Sequence, residues 1–143
     1  MDIKAALTEP KTWMIVASVV VVIMLGIGPM MASSGDVVGM AEDEFGELYT
    51  NASDADKGTI EESVKLQAYF FGATNVALTL FILGFAFLTD GTTRSKSAVF
   101  CGASLILWAI YSQGELDMGA LTFYSAVSAP MIITGALHLK GDE

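Results

Sequence analysis

Trp13-Met-Ile-Val-Ala-Ser-Val-Val-Val-Val-Ile-Met-Leu-Gly-Ile-Gly-Pro-Met-Met31 runs for 19 residues without a charged side chain. A helix of that length is close to the roughly 20 residues that cross the ~30 Å hydrocarbon core of a bilayer. A half-buried strand would alternate apolar with polar side chains, and this stretch does not alternate. It therefore predicts a membrane-spanning helix. The stretch also exceeds the ~7–15 residues of a signal-peptide core, and Asp2 and Glu9 before it suit neither a signal peptide nor a transit peptide, so it is expected to be retained.

Three more apolar blocks follow, over residues 66–88, 98–112 and 119–139. The third reaches spanning length when extended to 95–114. The predicted spans are thus 13–31, 66–88, 95–114 and 119–139, and the expected fold is all-α: an integral membrane four-helix bundle forming a single domain over residues 1–143. An apolar content of 53% and a mean hydropathy of +0.57 agree, since a soluble core would not need such unbroken blocks.

The connections set the topology. Residues 32–65 form the one long loop, whereas Thr89-Asp-Gly-Thr-Thr-Arg-Ser-Lys-Ser97 and Gln113-Gly-Glu-Leu-Asp-Met118 are tight, so spans two, three and four should form an antiparallel series. Lys4, Lys11, Arg94, Lys96 and Lys140 then share one side, against Lys57 and Lys65 on the other. Basic residues favour the cytoplasmic side, which places both termini in the cytoplasm or its equivalent. The acids are distributed the other way. The net charge of −9 lies wholly on the face carrying the long loop.

Within that loop, Thr59-Ile-Glu-Glu62 reads as a capping box that starts a helix continuing into the second span. Residues 37–49 read as a short amphipathic helix. Met40, Phe45, Leu48 and Tyr49 would face the protein or headgroups, and Glu42, Asp43, Glu44 and Glu47 would offer an acidic surface to a partner. Asn51-Ala-Ser53 is a glycosylation sequon that has meaning only in a secretory lumen.

Composition excludes several function classes. Seven scattered basic residues in a chain of −9 do not make a nucleic-acid surface. A lone cysteine, Cys101, and a lone histidine, His138, cannot assemble the usual His/Cys metal sites. The acids of residues 42–44 and 54–56 lack EF-hand spacing. No phosphate loop or nucleophile elbow occurs. Ionisable residues, which mark sites inside membranes, are absent from the depth of all four spans.

Uncharged polar residues do recur at helical spacing: Gln67, Asn75 and Thr79; Ser97, Cys101, Ser104, Trp108 and Ser112; Thr122, Ser125, Ser128 and Thr134. Small residues accompany them in Ala68 with Gly72 and Ala98 with Gly102. Such groups hold membrane helices together. Pro130 is expected to kink the fourth span and Pro29 to end the first.

Two functions fit. One is an accessory or structural subunit of a larger membrane complex, or a homo-oligomer, docked through these small and polar helix faces and the acidic loop. The other is a small membrane enzyme or carrier holding a lipid or quinone-like molecule between spans two to four, with Gln67, Asn75, Tyr124 and His138 as pocket residues. No cofactor is predicted, although a lipid or pigment could be bound, and His138 is the residue that could ligate one. The layout of one long loop and three tightly joined spans is similar to that of small four-span families such as the DoxX-like group, in architecture alone, and no site residue follows from it.

Overall fold

The computed structural model describes residues 7–112 and 118–141, the side chain of Lys140 excepted. Every regular element among them is helical: α1 (Pro10–Val21), a π-helical segment (Val22–Ile27), α2 (Gly28–Gly35), α3 (Val37–Phe45), α4 (Glu47–Thr50), α5 (Asp54–Leu88), α6 (Gly91–Ser112) and α7 (Met118–Gly141). Four stretches are long and apolar enough to cross a membrane: Pro10–Gly35, Asp54–Leu88, Gly91–Ser112 and Met118–Leu139. They follow the four apolar blocks of the sequence. The connection over residues 113–117 lies outside the described residues.

Burial along these helices is inverted relative to a soluble protein. Only 28–33% of the most apolar window of each is buried. The outward positions carry Val16, Val19, Ile23, Phe70, Leu80, Phe81, Phe100, Leu107 and Ile133, all at least 42% exposed. Many of the buried positions carry small or polar side chains, with a few large ones, Met14, Leu105, Tyr124 and Met131, among them. On α6 they are Ser95, Ala98, Cys101, Gly102, Leu105 and Ala109, repeating at three- and four-residue steps. On α5 the buried stripe is Val64, Ala68, Gly72, Asn75, Thr79, Ile82 and Ala86. Large contiguous apolar surface of this kind calls for lipid or a partner rather than water.

Packing divides the chain into two compact units, residues 21–78 and residues 1–20 with 79–143. In the second of these, α6 and α7 pack closely enough that a Cβ added at Gly135 would lie 2.7 Å from the Ser95 carbonyl oxygen, and one at Gly102 would lie 3.2 Å from that of Ser128. In the first, the π segment and α5 meet backbone to backbone: a Cβ at Gly72 would lie 2.5 Å from the Gly26 oxygen. Small residues are used where helices must approach this closely.

Four local expectations need correction. Pro29 does not end the first helix. It sits in the first turn of α2, and the helix continues to Gly35 after a widened π segment. A proline in a first turn lacks only an N–H that the preceding turn need not accept, and π segments absorb such misfits.

Thr59 is not a cap. It lies inside α5 and its hydroxyl donates to the Ala55 carbonyl at 3.1 Å. The helix instead starts at Asp54, with Ser53 as cap: Ser53 Oγ accepts from the Asp56 amide at 3.3 Å and donates to the Asp56 carboxylate at 2.6 Å. Ser-x-x-Asp competed with Thr-x-x-Glu six residues later, and the earlier signal won because nothing interrupts the helix between them.

The helix expected over residues 37–49 is two helices. Gly46, at φ +53°, breaks it, and its amide bonds the Glu42 carbonyl at 2.8 Å. Finally, α6 begins at Gly91, four residues before the predicted start of the third span. A polar first turn is no obstacle to a helix whose end lies outside hydrocarbon.

Candidate functional sites

The acidic loop, expected to carry a short amphipathic helix, is a folded lobe. Asp36 caps α3, its Oδ1 accepting from the Gly39 amide at 2.9 Å. Ala41, Tyr49 and Val64 then form a small buried core with Met40, Phe45 and Ile60 packed against it. Tyr49 is the keystone. Its hydroxyl donates to Glu61, and Lys57 stands 5.5 Å above its ring. Holding the proton against the Glu61 carboxylate, together with burial and the charges of Glu61 and Glu42, pushes the tyrosine up to about 12.

Around this core the lobe leaves Glu42, Asp43, Glu44 and Glu47 exposed, and Leu48, expected to lie against the protein or headgroups, is 75% exposed as well. From residue 32 to 65, nine carboxylates stand against two lysines, a net of −7. On the same unit, Ser33, Ser34, Glu62, Lys65, Leu66 and Tyr69 line an open cleft of about 410 Å³. Sequence reading missed this cleft because Ser33 and Ser34 have no motif around them.

The four residues expected to form one pocket have different surroundings. Gln67 is exposed, while Asn75 on the same helix is fully buried and donates from Nδ2 to the Phe71 carbonyl at 2.9 Å. Both belong to residues 21–78. Tyr124 and His138 belong to the other unit. Tyr124 is buried and its ring meets Phe123 edge-on, with centroids 5.8 Å apart. His138 is exposed.

Many of the polar side chains on the long helices bond their own helix one turn back. Thr74, Asn75, Thr89, Ser97, Thr122 and Thr134 bond the carbonyls of Phe70, Phe71, Phe85, Thr93, Met118 and Pro130. Such a bond satisfies a polar group without a partner on another helix.

His138 lines a second cleft, of about 180 Å³, with Glu9, Pro10, Gly91, Arg94 and Ser95. It gathers the start of α1, the start of α6 and the last turns of α7. His138 Nδ1 lies 3.0 Å from the Thr134 carbonyl oxygen, which can only accept, so Nδ1 carries the proton and Nε2 faces other partners. Arg94 Nη2 donates to the Thr89 carbonyl, whereas Nε is buried without a partner among the described residues. The N-terminal entry is braced by Trp13, whose Nε1 donates to the Leu7 carbonyl at 2.8 Å.

Among the described residues, no group of three His, Cys, Asp or Glu side chains is placed to hold a metal ion. Compared with known protein families, curated proteins and solved structures, the chain matches none.

Proposed function

We propose that the chain is a four-span integral membrane protein that serves as an accessory subunit of a larger membrane complex and docks a basic partner through its acidic lobe. The observation that carries this reading is the division of labour in the lobe. Ala41, Tyr49 and Val64 form a core of its own with Met40, Phe45 and Ile60, and Glu42, Asp43, Glu44 and Glu47 are left facing outward. A surface of one sign steers and selects a partner of the other. The exposed aliphatic and aromatic faces of the long helices supply the membrane half of the reading, being suited to lipid and to neighbouring subunits.

The distribution of basic residues puts both termini and the connection near Arg94 in the cytoplasm, and the lobe opposite. Lys96→Cys and Asn51→Cys, both at exposed positions and made in a Cys101→Ser background, should label from opposite sides of the membrane. Labelling from one side would overturn the topology.

The docking is tested by purification from native membranes in mild detergent. Co-purification should weaken as salt rises, because exposed charges are screened over ~8 Å at physiological ionic strength. Neutralising Glu42, Asp43, Glu44 and Glu47 together should release the partner while the chain still melts normally. A complex that survives both treatments is not held by the lobe.

A further inference from the structure

The cleft at Glu9, Arg94 and His138 holds opposite charges in a space too small for a whole lipid. We propose that it seats the headgroup of an aminophospholipid, with the phosphate on Arg94 and the ammonium between Glu9 and His138. The inference rests on the reading of the four long helices as membrane spans.

Arg94 is the anion-binding half. A guanidinium presents five donors in a planar fork that matches phosphate oxygens. Here one is committed to the Thr89 carbonyl and Nε is buried, so it is the other guanidinium donors of Arg94, which lines the cleft, that a ligand there would meet. The N-termini of α1 and α6, at Pro10 and Gly91, border the same cleft and favour negative charge. Lys11, two residues from Glu9, is engaged elsewhere, its Nζ 4.6 Å from the centroid of the Phe87 ring.

Glu9 and His138 are the cation-binding half. The Glu9 carboxylate accepts, and His138 Nε2 accepts when the ring is neutral, because Nδ1 holds the proton for Thr134. Acceptors of this kind require N–H donors. A primary ammonium supplies three, whereas a quaternary ammonium supplies none and prefers aromatic faces, and no aromatic side chain among the described residues lines this cleft. An anionic headgroup without an ammonium would satisfy Arg94 but leave Glu9 facing a like charge.

Size agrees. The cleft of about 180 Å³ falls below the ~300–1,000 Å³ of pockets that enclose drug-sized ligands. It can take a phosphoethanolamine group while the acyl chains stay outside. Leu7 and Leu137, adjoining the lining residues in sequence, are 50% and 60% exposed.

The full-length protein would be purified in detergent with equal amounts of phosphatidylethanolamine, phosphatidylcholine and phosphatidylglycerol, and the retained lipid weighed by native mass spectrometry. Phosphatidylethanolamine should be retained about tenfold over the other two, a difference of about 1.4 kcal/mol. Glu9→Gln should abolish its advantage over phosphatidylglycerol, and Arg94→Gln should lower retention of both. Because Arg94 also braces Thr89, the deciding variant is Glu9→Gln, whose side chain is exposed.

Equal retention of the three lipids, or a preference untouched by Glu9→Gln, would overturn the site. Displacement by free phosphoethanolamine at concentrations matching the lipid would assign the cleft to a soluble ligand and overturn the lipid. Failure of the underlying reading looks different: a chain that stays monodisperse without detergent does not span a membrane at all.

Discussion

The acidic lobe and the helix pair α6–α7 solve the packing problem in opposite senses. In the lobe, Ala41, Tyr49 and Val64 turn inward and four carboxylates turn out. In the pair, Gly102, Gly135 and Ser128 turn inward, and Phe100, Leu107 and Ile133 turn out. The lobe is built for water, where removing apolar area is the driving force. The pair lacks that force, because its outer face is as apolar as any core. What can hold it is close approach of backbones and the dispersion contacts that follow. Substitutions should therefore be tolerated at opposite positions in the two regions.

The largest effect is expected where the backbones of α6 and α7 approach most tightly. Gly135→Leu places a Cβ where only 2.7 Å separates it from the Ser95 carbonyl oxygen, and backbone cannot swing aside as a side chain can. Overpacking costs about 1–3 kcal/mol, and a backbone clash belongs at or above the top of that range. Leu107→Ala, at a position 65% exposed, should change stability by less than about 0.5 kcal/mol. Thermal melts in detergent would compare them. Equal losses would mean that outward leucines are part of a core, and the inverted pattern would fail.

Gly46→Ala asks the same of the lobe, where conformation rather than space is at stake. Nothing lies within 4 Å of an added Cβ there, but φ is +53°. The left-handed side of the map costs an L-residue roughly 1–2 kcal/mol. Hydrogen exchange should quicken across α3 and α4 and remain unchanged in α7. Uniform quickening would show that the lobe and the long helices unfold together.

How much of this was legible follows from the length scale of each signal. The four apolar stretches were, because each is some twenty residues of one chemistry and no local choice can hide it. Leu88 was read as the end of the second, and Asp90-Gly91 marks it. Helix starts in polar sequence were not, since Ser53 and Thr59 carry the same kind of cap signal and only the unbroken helix between them decides. The break at Gly46 was not either, since it depends on a positive φ of +53° that the residue type permits but does not announce. The cleft of Glu9, Arg94 and His138 was illegible for another reason. His138 was singled out, yet its neighbours come from the starts of two other helices, and a single sequence carries no sign of that convergence.

The cap sharpens this point with a smaller effect. Ser53→Ala removes the Oγ that accepts the Asp56 amide and should cost about 0.5–2 kcal/mol, fraying the first turn of α5. Thr59→Ala removes only a bond to its own helix and should stay within about 0.5 kcal/mol. Exchange protection at Lys57 and Gly58 is the readout. A larger loss at Thr59 would return the helix start to the later signal.

The narrowest effect lies in one hydrogen bond and one pH range. The Tyr49 hydroxyl is held protonated by its bond to Glu61, with burial and the nearby charges of Glu61 and Glu42 adding to the shift, so its titration moves from near 10 to about 12. A group whose folded value is raised stabilises the fold fully below its unfolded value, and that contribution fades as pH climbs through the folded one. Between pH 10 and about 12 the lobe should therefore loosen while α6 and α7, which owe nothing to this tyrosine, hold. Protection at Ala41 and Val64 would fall in that window, and the ultraviolet signal of tyrosinate would show a late-titrating component. Tyr49→Phe should remove that component and the pH dependence together, leaving a lobe that is weaker at neutral pH but insensitive to alkali. A variant that loosens over the same window would show that Tyr49 is not the group responsible.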